Sequence, residues 1–191
     1  MTKIVKRFEN ASLDNYNCTT ETQKKLIAEL KKGVNEKFSN NIIIIGGVGT
    51  GKTHLAYALL NALSEKKEYN GYRYYPDSFI SYRTVKAIID EIKASWKDPV
   101  YSNPVCDLSK VPLLIIDEIG VQYGTDSERT ELYDIFNNRY NDMLPTIVIS
   151  NNTLPELQRI LGQRIYDRLS GGAAIFELTG KSHRQGGSCE M

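Results

Sequence analysis

The run Ile42-Ile43-Ile44-Ile45, followed at once by Gly46-Gly47-Val48-Gly49-Thr50-Gly51-Lys52-Thr53, constrains the fold more than any other part of the chain. Four β-branched residues make a segment too short for a helix and apolar on both alternating faces, as a parallel strand buried on both sides requires. The eight residues after them match G-x-x-x-x-G-K-[ST] at every fixed position. Glycines let successive backbone N–H groups turn inward on a phosphate chain, so Gly46 to Gly51, with the backbone of Val48 and Thr50, form a cradle. Lys52 can reach the β and γ phosphates of ATP, and Thr53 can place its hydroxyl on Mg²⁺. From Thr53 and His54 onward the sequence favours a helix to Leu63, whose positive N-terminal end faces the same phosphates. A glycine-rich turn arising by chance would not carry this strand before it and this helix after it. The combination predicts an α/β fold with a nucleotide site.

At 191 residues the chain suits one domain, with room for a sizeable core. Lys plus Arg is 24 against 23 for Asp plus Glu, so any nucleic-acid surface must be a local patch. Cys18, Cys106 and Cys189 are far apart with no C-x-x-C pair, which suits neither a zinc site nor a disulfide framework and points to a reducing, cytoplasmic compartment. No apolar run approaches the ~18 residues of a membrane helix, and Met1-Thr2-Lys3 does not open a signal peptide, so no membrane partner is expected.

Ahead of the loop, Lys6 to Tyr16 mixes turn formers with spaced apolar residues and reads as an irregular lead-in. Its residues Phe8 to Tyr16 are candidates either for contacts with a nucleotide base or for plain packing. Thr20-Glu21-Thr22-Gln23 starts an amphipathic helix with Leu26, Ile27 and Leu30 on one face, expected to end near Gly33. Beyond the loop helix, Asn70-Gly71 marks a turn. Tyr72, Tyr74, Tyr75, Phe79 and Tyr82 then form either a stacking platform for single-stranded nucleic acid or a packed loop leading into a strand near Ser78 to Tyr82. Val85 to Lys97 is predicted helical, with Val85, Ile88, Ile89, Ile92 and Trp96 as its apolar stripe and Arg83, Lys86, Lys93 and Lys97 as positive charge. Asp98-Pro99 stops it, and Asn103-Pro104 continues a loop.

A second chemical motif is Val111-Pro112-Leu113-Leu114-Ile115-Ile116-Asp117-Glu118, about 65 residues after Lys52. An apolar strand ending in two acids places carboxylates at the carboxyl edge of a parallel sheet, where ligands of open α/β folds bind. Asp117 would hold Mg²⁺ through water, and Glu118 would polarise the attacking water. Asp126 to Asn141 is predicted helical, with Leu132, Ile135, Phe136 and Tyr140 as core. Pro145 to Asn151 is another apolar strand; Asn151 at its tip either hydrogen-bonds the attacking water or γ-phosphate, or simply begins the turn Asn151-Asn152-Thr153-Leu154-Pro155. Arg164 and Arg168 lie one helical turn apart, as guanidiniums supplied to a neighbouring subunit would. Gly171-Gly172 ends that helix, Ala173 to Leu178 is a last strand, and residues 185–191 are expected to be disordered.

These stretches resemble AAA+ ATPases of the DnaC-like bacterial and phage helicase-loader group. The likeness runs from RFENASLDNY at Arg7 through GGVGTGKTHLA, LLIIDEIGVQYGTD, TIVISNNT and LGQRIYDRLSGG to KSHR. Its specific parts are IDEIGVQ at Ile116 to Gln122 and LGQRIYDRL at Leu161 to Leu169. The resemblance implies that Asn151 is the sensor-1 residue, Arg168 a trans arginine finger, Arg164 an accessory arginine and Arg184 a sensor-2-like residue. It also implies that the helix Val85 to Lys97 lines a single-stranded DNA path, with Arg83, Lys86 and Lys93 as contacts. Loaders of this group carry an N-terminal helicase-binding domain, whereas few residues precede Arg7 here, so a DnaB-type helicase would be met through a short tail, another surface or a separate protein.

The expected architecture is an AAA+ P-loop NTPase with a parallel five-stranded sheet flanked by helices and no C-terminal lid. Residues 1–33 form the lead-in and first helix, and residues 34–184 the ATPase core. Such a chain would hydrolyse ATP, assemble head to tail and help place the replicative helicase on single-stranded DNA. The alternatives are an IstB-type transposition-helper ATPase acting on duplex DNA, a nucleotide-gated adaptor with little turnover, and a small-molecule kinase, against which stand the adjacent acids and the paired arginines.

Overall fold

The computed structural model describes residues 5–64, 68–69, 72–73, 79–97, 103–120 and 126–180. Thr20 caps the first helix, α1 (Glu21–Glu36), through a reciprocal box in which its hydroxyl accepts from the Gln23 N–H and the Gln23 side chain accepts from the Thr20 N–H. The helix runs past Gly33, where an end was predicted; the glycine there serves packing, since a Cβ would stand 2.2 Å from the Phe38 ring.

Strand β1 (Ile42–Gly46) leads through the glycine loop into α2 (Lys52–Ser64). A short antiparallel ribbon follows, β2 (Glu68–Tyr69) with β3 (Tyr72–Arg73), flanking the predicted Asn70-Gly71 turn, which lies outside the described residues, as do Tyr74 and Tyr75. Next come β4 (Ile80–Thr84), two residues later than predicted, and α3 (Val85–Lys97). The predicted loop at Asn103-Pro104 is instead the start of α4 (Pro104–Lys110): the Asn103 side chain accepts from the N–H groups of Val105 and Cys106, and Pro104 occupies the first turn, where a missing N–H costs nothing. The remaining elements are β5 (Leu113–Ile119), α5 (Asp126–Asn141), β6 (Thr146–Ser150), α6 (Leu154–Leu161), α7 (Gln163–Ser170) and β7 (Ala174–Leu178).

The large sheet has five strands in the order β4-β5-β6-β1-β7, with parallel pairing throughout. Successive residues of β1 serve opposite faces. Ile42 and Ile44 join Leu26, Leu30, Leu55 and Leu59 of α1 and α2, while Ile43 and Ile45 join Ile88, Ile92, Ile135 and Leu157 from the helices on the other side. A central strand needs apolar residues at every position for this reason, and the four isoleucines are 0–2% exposed.

Trp96, read as part of an apolar stripe, and Tyr140, read as core, both lie at the surface. Trp96 is 53% exposed at the last turn of α3, beyond the stretch buried by Ile88 and Ile92, and Tyr140 is 55% exposed on α5. Trp96 continues the helical period into the last turn of its helix, while the Tyr140 ring centre lies 5.9 Å from the Arg168 guanidinium at the surface rather than in the core.

Candidate nucleotide site

The site lies at the carboxyl ends of β1, β5 and β6. Because β6 sits between β1 and β5, its tip falls between the glycine loop and the acidic strand, which brings together residues roughly 35 to 100 positions apart. Lys52, Thr53, Asp117, Glu118 and Asn151 line one cleft of about 320 Å³ with Val48, Gly49 and His54, and with Arg7 and Phe8 from the lead-in. A larger cleft of about 730 Å³ lies between the lead-in and helices α1 and α2, and none of the motif residues lines it.

Lys52 is 5% exposed. Its ammonium donates to the carbonyls of Gly46 and Gly47, both at 2.7 Å, and to Thr50 Oγ1 at 3.3 Å, so the cation is held inside the loop. Gly51 has φ +91°, and a Cβ on it would stand 2.9 Å from the Tyr16 ring; only glycine lets the lead-in lie this close to the loop. Tyr16 donates its hydroxyl to the Thr50 carbonyl at 3.0 Å, and burial pushes its phenol up to about 12, which keeps it a donor. The lead-in therefore packs on the loop through Tyr16 and borders the cleft through Arg7 and Phe8. Of the two alternatives read for Phe8 to Tyr16, packing is seen for both Tyr16 and Phe8, which stacks on Tyr57, while Phe8 also borders the cleft.

Opposite the loop, Thr53 donates to Asp117 Oδ2 at 3.1 Å. Two hard oxygen donors at this spacing fit Mg²⁺, which takes few protein ligands and fills the rest of its shell from phosphate and water. Tyr82 donates to the same oxygen at 3.0 Å, and the Glu118 N–H donates to Asp117 Oδ1 at 2.7 Å. Burial first, then the neighbouring Asp117 carboxylate, drives the Tyr82 phenol well above its ordinary value. Nothing local in the sequence marks this contact, since it depends on β4 lying beside β5.

Asp117 is 3% exposed, whereas Glu118 is exposed and has φ +60°. The pairing of β5 with β6 slips between Ile116 and Ile119, and this bulge turns Glu118 out of the ladder and into the cleft. Below the bulge the two strand tips are tied together. Ser150 donates to the Ile119 carbonyl, and Gly120, at φ +124°, leaves room for the Asn152 side chain, whose Oδ1 would lie 1.9 Å from a Cβ. Asn151 is exposed at this tip, and α6 begins beyond it with the Thr153 N–H and hydroxyl both on the Glu156 carboxylate.

The arginines assigned to assembly lie apart from this cleft. Arg168 is half-buried against α5: its Nε donates to Asn137 Oδ1 at 2.9 Å, an Nη donates to the Arg164 carbonyl at 3.0 Å, and its guanidinium lies 5.1 Å from the Tyr133 ring centre. Arg164 is exposed, and Arg184 lies outside the described residues. On and beside α3, Arg83 pairs with Glu91 at 2.8 Å and Lys86 with Asp90 at 2.5 Å, while Lys93 is exposed. An exposed pair such as Lys86–Asp90 is worth at most ~1 kcal/mol and opens readily for a phosphate.

A glycine loop at the head of a parallel sheet, a strand-end acid pair and an asparagine just past the tip of the strand between them define a P-loop fold of the AAA+ type. The sequence profile of the IstB-like ATP-binding protein family matches residues 1–190, and the chain belongs to that family. Among curated relatives, the replicative helicase loader DnaC of Escherichia coli K12 is 31% identical over 173 residues, which is 88% of this chain and 66% of that protein. DnaC of Buchnera aphidicola from Acyrthosiphon pisum is 30% identical over 175 residues, 88% of this chain and 67% of the relative. The chain thus spans about two-thirds of the length of these loaders. In three dimensions it is similar to a crystal structure of the DnaC helicase loader, with a TM-score of 0.76 and 24% identity over 92% of this chain and all of that one. It also resembles a replication initiator DnaA bound to AMPPCP and single-stranded DNA, with a TM-score of 0.73 and 23% identity over 91% of this chain and 51% of the other. No helix among the described residues is long and apolar enough to cross a membrane.

Proposed function

We propose that the chain is a Mg²⁺-dependent ATPase of DNA replication that binds single-stranded DNA and helps place a replicative helicase of the DnaB type. The observation that carries the ATPase part of this reading is the convergence of Lys52, Thr53, Asp117, Glu118 and Asn151 on one cleft. In it the backbone N–H groups of residues 47–52 bind the phosphates, and the Lys52 ammonium exchanges loop carbonyls for β and γ oxygens. Thr53 and Asp117 hold the magnesium ion, which neutralises charge on the phosphates. Glu118 takes a proton from the attacking water, and Asn151 orients that water or the γ-phosphate without adding charge. Arg168, with Arg164 beside it, serves the cleft of a neighbouring copy in a head-to-tail assembly, and Arg184 contacts nucleotide from the chain's own side. Arg83, Lys86 and Lys93 contact DNA phosphates. The compartment is the cytoplasm.

The helicase and DNA assignments rest on the relatedness to DnaC. A second reading, a transposition helper, is favoured by the IstB-like family match. Pulldown from host lysate with and without ATP, beside binding to single-stranded and duplex oligonucleotides, separates the two. The loader reading expects an ATP-sensitive replicative helicase and a preference for single strands. Recovery of a transposase with a preference for duplex would overturn it.

A further inference from the structure

We infer that Tyr82 is a positioning residue for the magnesium-binding carboxylate, its phenol fixing the rotamer in which Asp117 faces Thr53. This rests on the reading of Thr53 and Asp117 as the magnesium pair. Tyr82 stands on β4 opposite Ile115 of β5 in the parallel register, on the face of the sheet that α2 covers. Side chains two apart on a strand share a face, so Ile115 and Asp117 both face α2 and Tyr82 leans along the strand to reach the acid. Its hydroxyl lies 3.0 Å from Asp117 Oδ2, the same oxygen that Thr53 approaches at 3.1 Å.

The ring is as fixed as the hydroxyl. Its centre lies 5.0 Å from that of Tyr57 on α2, and Tyr57 stacks at 4.7 Å and 11° on Phe8, which borders the cleft. An aromatic file therefore runs from the rim of the nucleotide cleft under the glycine-loop helix to the acid. When the Thr53 hydroxyl turns to a cation, Tyr82 remains as a side-chain donor to Oδ2, and the Glu118 N–H stays on Oδ1. Both carboxylate oxygens are then still oriented, which is how groups outside the ligand set tune a metal site.

The test is Mn²⁺ binding, read by electron paramagnetic resonance, to the full chain saturated with adenylyl imidodiphosphate, with nucleotide affinity in EDTA measured in parallel. Tyr82→Phe keeps the ring and removes only the donor. It should weaken Mn²⁺ binding about 10-fold while leaving the metal-free nucleotide affinity and the melting temperature near wild type. Tyr82→Leu, which also removes the ring from the file, should show the same metal loss with a lower melting temperature. Asp117→Asn is the reference. If it binds Mn²⁺ like wild type, the magnesium pair itself is misassigned; if it loses Mn²⁺ while Tyr82→Phe does not, the role of Tyr82 alone is overturned.

Discussion

Glu118 shows how far one backbone angle decides what a residue does. In an undisturbed strand, neighbouring acids would point to opposite faces, and Glu118 would face the helices opposite α2. Its φ of +60°, which costs a non-glycine residue roughly 1–2 kcal/mol, and the bulge around it put the carboxylate in the cleft beside Asp117. Strain kept at a cleft residue fits a catalytic role, and Glu118→Gln should keep Mg²⁺-ATP bound while lowering turnover at least ~10²-fold, because the amide preserves shape but not basicity. Turnover of that variant at the wild-type rate would assign Glu118 elsewhere. Lys52→Ala removes the cation from the loop and should abolish ATP binding by calorimetry; unchanged affinity would remove the loop from the site. Lys52, Thr53, Asp117 and Glu118 were all legible in the sequence, because glycine spacing and a strand-end acid pair are local patterns. The hydroxyl of Tyr82 on Asp117 was not, since it depends on which strands are neighbours.

Among the elements, helices with a long apolar period were legible almost to the residue, as α3 and α5 show. The seven-residue α4 was not, because it is too short to express a period and begins with an Asn-Pro pair that also suits a loop. Its place is fixed by Arg139 of α5, a residue 1% exposed that no local pattern singles out. Arg139 donates to the carbonyls of Leu108 in α4 and Val111 just after it, and to the Pro145 carbonyl and Thr146 hydroxyl at the start of β6. Burial pulls its guanidinium down to about 9, still charged at neutral pH. Arg139→Met would remove the guanidinium from the Leu108 and Val111 carbonyls, leave Pro145 with only the 3.5 Å bond from the Leu114 N–H, and should cost about 3 kcal/mol in urea unfolding with ATP affinity unchanged. A loss under about 1 kcal/mol would show the clamp to be dispensable. For α3, removing Arg83, Lys86 and Lys93 together should weaken single-strand binding and flatten its salt slope by up to about 0.7 per lost phosphate contact. An unaltered slope would return this face to solvent.

At the scale of the molecule, a parallel five-stranded sheet was expected but the strand order was not legible, since a parallel sheet records in its sequence the burial of each strand but not its neighbours. That order places the P-loop, the acids and Asn151 in one cleft, while Arg168 rests on α5 outside the set of residues lining it. On the proposed reading, the cleft of one chain holds the loop, both acids and Asn151 but no finger arginine among the residues that line it, and hydrolysis should need an interface between copies. Specific activity should rise with protein concentration and with single-stranded DNA. Arg168→Ala should spare ATP binding and lower turnover, by up to ~10³-fold where the finger dominates. The most direct measurement mixes Arg168→Ala with Lys52→Ala, each inactive alone, and follows ATP turnover across the mixing ratio. Some interfaces in the mixture join an intact loop to an intact finger, so partial recovery, greatest near equal amounts, is the predicted result; no recovery at any ratio, with mixed assembly confirmed by crosslinking, would contradict a site completed by a second copy.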